Sequence, residues 1–178
     1  MKELLIKLNA CNEAREWASN KSIDEIWATC HRCDWMLWLA RKLNIDKRVL
    51  TLAKGHCANT VRHLMKDERS IAAVDMAIKY GEGNATDSEL AAAAAAAYDA
   101  AADAAAADAY ATAAYAAYAT AAYAAYAADA AAYAAAADAY AYARKKSQQA
   151  TAEICRKYIP LGLILAAIKS QEKQKDGI

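Results

Sequence analysis

Phenylalanine is absent from this 178-residue chain, so four Trp and eleven Tyr must supply the aromatic bulk of any core. Sustained Val/Ile/Thr alternation and Asn-Gly or Asp-Gly turns are also missing, which excludes a sheet built from hairpins and leaves an all-α fold. Neither sign of charge dominates: 22 Lys+Arg oppose 21 Asp+Glu, a formal charge of +1. No global field therefore draws the chain to nucleic acid or to an acidic membrane surface. Long apolar runs are lacking as well. Ile159 to Ile168 is the longest, about half of the ~20 residues a spanning helix requires, and it predicts a buried terminal helix. The N-terminus shows no apolar run followed by a small-residue cleavage site, and the five cysteines are odd in number. Both point to reduced thiols in a cytoplasm.

Helix punctuation is frequent. Ser22 and Glu25 form a capping box ahead of Ile23, Ile26 and Trp27, in a helix expected to end near Arg32. Asp34, Asp46 and Asp67 are each placed to cap a further helix, the first with Trp35, Trp38 and Leu39 on one side. Two glycines between Gly81 and Asn84 supply the one clear internal break. Thr86 and Glu89 then form a second capping box. The expected organisation is a single helical domain over residues 1–169, a compact multi-helix bundle. It comprises a helical half (1–80), the break (81–84), closely packed Ala/Tyr-rich helices (86–143), C-terminal helices (144–169) and a flexible tail (170–178).

The alanine tract has no Gly or Pro before Arg144. As one helix of roughly 55 residues it would run ~80 Å, against roughly 35 Å for a compact domain of this size, so turns are expected near Asp108 or Thr112 and near Asp129. The octapeptide YATAAYAA occurs twice in tandem from Tyr110. On an unbroken helix Tyr115, Tyr118, Tyr126, Tyr133 and Tyr140 fall within roughly one quadrant. Alanine lets helices approach closely, and tyrosine is both core filler and a favoured recognition residue. Asp residues are interleaved without any Lys or Arg between Asn84 and Ala143. Tyr115, Tyr118, Tyr123, Tyr126, Asp129, Tyr133, Asp138 and Tyr140 are accordingly the candidate partner-binding face, suited to a basic protein surface.

Cys30-x-x-Cys33 has the spacing of half a zinc site, and His56-Cys57 could supply the other half. Cys30 and Cys57, however, fall on apolar helical patterns rather than in loops, which favours buried reduced thiols and no metal. His31, His56 and His63 have no nucleophile elbow, carboxylate pair or phosphate loop nearby. The expectation is a protein without catalytic residues or cofactor.

The segments ACNEAREWA (Ala10 to Ala18) and EIWATCHRCDWMLWLARKL (Glu25 to Leu43), followed by an Ala-rich Tyr/Asp tract, resemble the Imm-5-like family of immunity proteins of bacterial polymorphic toxin systems. Cys11, Glu13, Ala14 and Trp17 match its first motif, and Trp27, Cys30, Asp34, Trp35, Trp38 and Leu39 its second. Cys33 departs from the family, which commonly has a small residue there. The resemblance implies a stoichiometric inhibitor that binds a cognate toxin or effector by occlusion, and it transfers no catalytic residue. The motif residues read as architecture, with Asp34 capping and the indoles packing. The alternative function is a helical module that sequesters a nucleotide-like ligand by stacking beside Trp35 and Trp38; a metal-dependent enzyme built on the Cys/His cluster ranks third.

Overall fold

The computed structural model describes residues 2–106 and 137–176, and the side chains within these up to 102 and over 144–173. Among the described residues there are nine α-helices and no strand. They are α1 (Lys2–Lys7), α2 (Asn12–Trp17), α3 (Ile23–Thr29), α4 (Cys33–Lys42), α5 (Lys47–Asn59), α6 (Glu68–Gly81), α7 (Asp87–Ala106), α8 (Ala137–Tyr158) and α9 (Leu161–Asp176). A 3-10 turn at Arg62–Leu64 joins α5 to α6. None of these helices is long and apolar enough to cross a membrane.

The expected caps form, with one exception. Ser22 Oγ accepts from Glu25 N at 3.2 Å while Ser22 N donates to Glu25 Oε2 at 2.7 Å. Thr86 and Glu89 repeat this reciprocal pattern at the start of α7. Asp46 accepts from Arg48 N and Val49 N, and Asp67 accepts from Arg69 N. Asp34 does not cap. Helix α4 begins two residues earlier than expected, at Cys33, and its N-cap is Arg32, which makes no side-chain cap bond. The Asp34 carboxylate is turned to the Arg32 guanidinium instead.

Helices α5 and α6 pack together, α7 lies on α6, α8 crosses both α4 and α5, and α9 touches α3. The α5/α6 contact is close because Gly55 and Gly81 are in it. A Cβ at Gly81 would stand 2.7 Å from Leu52 Cα. Helix α6 ends at Gly81, and Gly83 takes a φ of +85°, the left-handed conformation that glycine adopts at little cost. The expected break is thus realised.

The core stripe of α4 differs from the one the tryptophans imply. Cys33, Met36, Leu37 and Ala40, at i, i+3, i+4 and i+7, are buried, whereas Trp35 and Trp38 are half-buried. The stripe faces α8, whose Ala152 and Cys155 are fully buried, as is Ile159 just beyond its end. Helix α8 runs without interruption through residue 144, and α9 continues to Asp176 beyond the expected end at 169. Only one face of α9 is covered: Ile164 is buried but Leu163 is 40% exposed. The expected turns near Asp108, Thr112 and Asp129 lie outside the described residues.

Candidate ligand-binding site

Helices α1 to α4 are short, and they leave between them a cavity of about 590 Å³. That volume lies in the range of small-molecule sites. All ten residues that match the family motifs line it: Cys11, Glu13, Ala14, Trp17, Trp27, Cys30, Asp34, Trp35, Trp38 and Leu39. Leu5, Ile26, Met36 and Leu37 add apolar wall, and Glu13, Arg32, Arg41 and Lys54 bring charge.

Trp17, the last residue of α2, meets Trp35 in the first turn of α4 with ring centroids 5.9 Å apart and planes tilted by 58°. The pair forms an open angle rather than a closed stack. Each ring carries a cation. The Lys21 ammonium stands 4.1 Å from the Trp17 centroid, and the Arg32 guanidinium 4.6 Å from that of Trp35. Arg32 also holds Asp34 through Nε to Oδ1 at 2.8 Å and Nη2 to Oδ2 at 2.6 Å, with Glu13 Oε1 3.6 Å from Nη1. This fork fixes the guanidinium as one wall of the site.

The floor is anchored from the end of α8 and the residue that follows it. Trp27 Nε1 donates to Ile159 O at 3.1 Å, and Arg156 Nη1 donates to Trp27 O and Cys30 O at 3.0 and 2.9 Å. The two Arg156 bonds use carbonyls at the C-terminal end of α3, where a helix leaves acceptors without intrahelical donors. Lys54 reaches the cavity from α5, where burial first, and then the nearby Arg41, lower its pKa. Burial raises the pKa of the Cys30 thiol, which donates to Arg32 O at 3.5 Å.

The architectural reading of the motif is therefore corrected in part. Asp34 serves an ion pair instead of a cap, while the indoles pack as expected, Trp27 buried and Trp17, Trp35 and Trp38 half-buried against the core, and all four also line the cavity. The described walls of the cavity come from the N-terminal helices and Lys54, with Trp35 and Trp38 among them. Lys54 and Arg32 were missed. Arg32 lies inside the second family segment but is not one of its matched residues, nothing local marks Lys54, and only the packing of α5 on α4 brings Lys54 to Arg41.

Of the tract residues, Tyr115, Tyr118, Tyr123, Tyr126, Asp129 and Tyr133 lie outside the described residues, while Asp138 and Tyr140 are in α8. The proposed Cys/His grouping is rearranged. Cys33 meets Cys57, Cys155 joins them, Cys30 turns to the Arg32 carbonyl, and His56 stacks on Tyr158 at 4.3 Å between centroids. Cys155 was not anticipated, because nothing local to it marks it beyond the buried stripe of α8. Comparison of the chain with protein-family models, with curated proteins and with solved structures finds no match.

Proposed function

We propose that the protein is a non-catalytic binding module that captures a small planar anion, of nucleotide-like chemistry, in the tryptophan cavity. One observation carries this reading: indoles and cations line the same 590 Å³ space. The Trp17/Trp35 angle offers a face for stacking, worth about 1–3 kcal/mol per base in comparable aromatic sites. Lys54 and Arg41 repel one another there, and burial disfavours the Lys54 charge; a bound anion relieves both penalties. Arg32, held by Asp34, sets the position of the ring beneath it.

The test is a thermal-shift screen of nucleotides and other aromatic anions against purified protein, followed by calorimetry with the best compound on wild type, Trp35→Ala and Lys54→Met. Saturable binding weakened by both substitutions supports the proposal. Absence of any stabilising aromatic anion, or binding that both variants retain, rejects it.

A second reading is favoured by the resemblance to the Imm-5-like family: a protein that binds and neutralises a cognate toxin or effector, with the Tyr/Asp tract as the recognition face. An acidic, tyrosine-rich face suits a basic partner surface, where charge speeds encounter and buried aromatics slow release. Co-expression with the product of a neighbouring toxin-domain gene decides it. Rescue of growth that is lost with Tyr118→Ala/Tyr126→Ala supports occlusion through the tract, and an unprotected host rules against this pairing.

A further inference from the structure

Three of the five cysteines converge on one point in the core, from α4, α5 and α8. Cys33 Sγ lies 3.1 Å from Cys155 Sγ and 3.5 Å from Cys57 Sγ, and all three sulfurs fall within 4.8 Å of one another. Cys57 and Cys155 have no exposed surface and Cys33 is 2% exposed. Nothing about packing alone demands this: a buried thiol fills space much as a small aliphatic group does. Three thiols at mutual contact also form a weak hydrogen-bonding set, since S–H is a poor donor and sulfur a poor acceptor.

We propose that Cys33, Cys57 and Cys155 constitute a three-sulfur site for a soft thiophilic ion, and specifically for a trivalent one of the arsenic and antimony class. Softness follows from the donor set, because thiolates select soft ions over hard ones. Valence follows from charge. The site is dry, and the ionised side chain that acts on Cys33 is the Asp34 carboxylate, which disfavours further negative charge. Three thiolates around a monovalent ion would carry a net −2, and around a divalent ion −1, each costly in a dry interior beyond what the N-terminal end of α4 at Cys33 offsets. Around a trivalent ion the complex is neutral.

Geometry agrees. A tetrahedral ion at about 2.3 Å from each sulfur holds the sulfurs about 3.8 Å apart and wants a fourth donor. A pyramidal trivalent centre holds three sulfurs closer and directs its lone pair to the open side. The reaction balances without oxidant or reductant. As(OH)3 and three thiols give the tris-thiolate and three waters: three As–O and three S–H bonds break, and three As–S and three O–H bonds form.

Inorganic arsenite is the probe. It is added to reduced full-length protein, both folded and during refolding from urea, so that slow entry into the core is separated from absence of a site. After desalting, native mass spectrometry is expected to find one arsenic per chain with loss of three protons, and arsenic X-ray absorption a shell of three sulfurs without oxygen. Cys57→Ala and Cys155→Ala reduce retention by about tenfold or more, since a lost ligand costs at least what a lost supporting residue does. Cys11→Ala and Cys30→Ala leave it unchanged. The absorption spectrum of wild-type protein decides the matter even if the core variants fail to fold. A mixed sulfur/oxygen shell, no retained arsenic by either route, or displacement of arsenic by equimolar zinc overturns the proposal.

Discussion

The Trp27 indole donates to the carbonyl of Ile159 across 132 positions of sequence, at 3.1 Å and out of solvent. One bond thus ties the second motif of the N-terminal half to the junction between α8 and α9. Arg156 strengthens the tie by donating to Trp27 O and Cys30 O. Trp27→Phe keeps an aromatic ring but orphans the Ile159 acceptor, and is expected to destabilise the fold by about 1–3 kcal/mol. Urea denaturation checks it; a midpoint equal to wild type would mean that this bond contributes nothing.

The glycines separate close approach from idle freedom. At Gly81 an added Cβ would meet Leu52 Cα at 2.7 Å, whereas at Gly162 it would meet nothing within 4 Å. Gly81→Ala should cost about 1–3 kcal/mol through overpacking, and Gly162→Ala, in the first turn of α9, should gain a few tenths to about 1 kcal/mol from reduced unfolded-chain entropy. Opposite shifts in thermal midpoint are the expected result.

Lys54 is predicted to trade stability for binding. Burial and Arg41 both disfavour its charge, so Lys54→Met is expected to raise the stability of the ligand-free protein by roughly 0.5–2 kcal/mol, as at other strained functional positions. The same substitution weakens capture of an anion. Denaturation and calorimetry on one preparation test both halves; a variant that is less stable than wild type contradicts the first.

His56 gives the neutral-pH limb of the stability curve. Partial burial, then Lys157, lower its pKa below 6.5, outweighing Glu82. The folded state thus binds the proton less readily than the unfolded chain. Stability is full above the unfolded value and declines as pH falls through 6.5 towards the folded pKa. His56→Phe, which keeps a ring against Tyr158, should flatten that decline when unfolding is followed between neutral and mildly acidic pH.

A second loss belongs to acid. The capping carboxylates Glu25 and Glu89 are held below their usual value of 4.5 by the backbone and hydroxyl groups of Ser22 and Thr86. Their contribution is complete above that value and is lost as pH falls through the folded pKa. Glu25→Gln/Glu89→Gln should lower stability at neutral pH and reduce its further loss in acid.

Much of the helical punctuation was legible locally. A capping box, an Asp cap or a Gly stop depends on groups within four residues of one another, so Ser22/Glu25, Asp46, Asp67, Thr86/Glu89 and Gly83 could be read from sequence alone. Asp34 misled because an arginine two residues earlier competes for its carboxylate, and that competition depends on how Arg32 is held over Trp35. The stripe of α4 misled similarly. Bulk favoured Trp35 and Trp38 as core, but a core position is set by what faces it, and α8 presents small and medium side chains to Cys33, Met36, Leu37 and Ala40.

The all-helical class, the absence of hairpins and the Gly81–Asn84 break were properties of the sequence by itself, because each follows from short-range backbone preference. The cavity, the Trp27–Ile159 tie and the meeting of Cys33, Cys57 and Cys155 were decided by tertiary structure. Their members come from helices far apart along the chain, and no local preference records which helix faces will cross. Side-chain chemistry is written in the sequence; its concentration at one point is a consequence of packing.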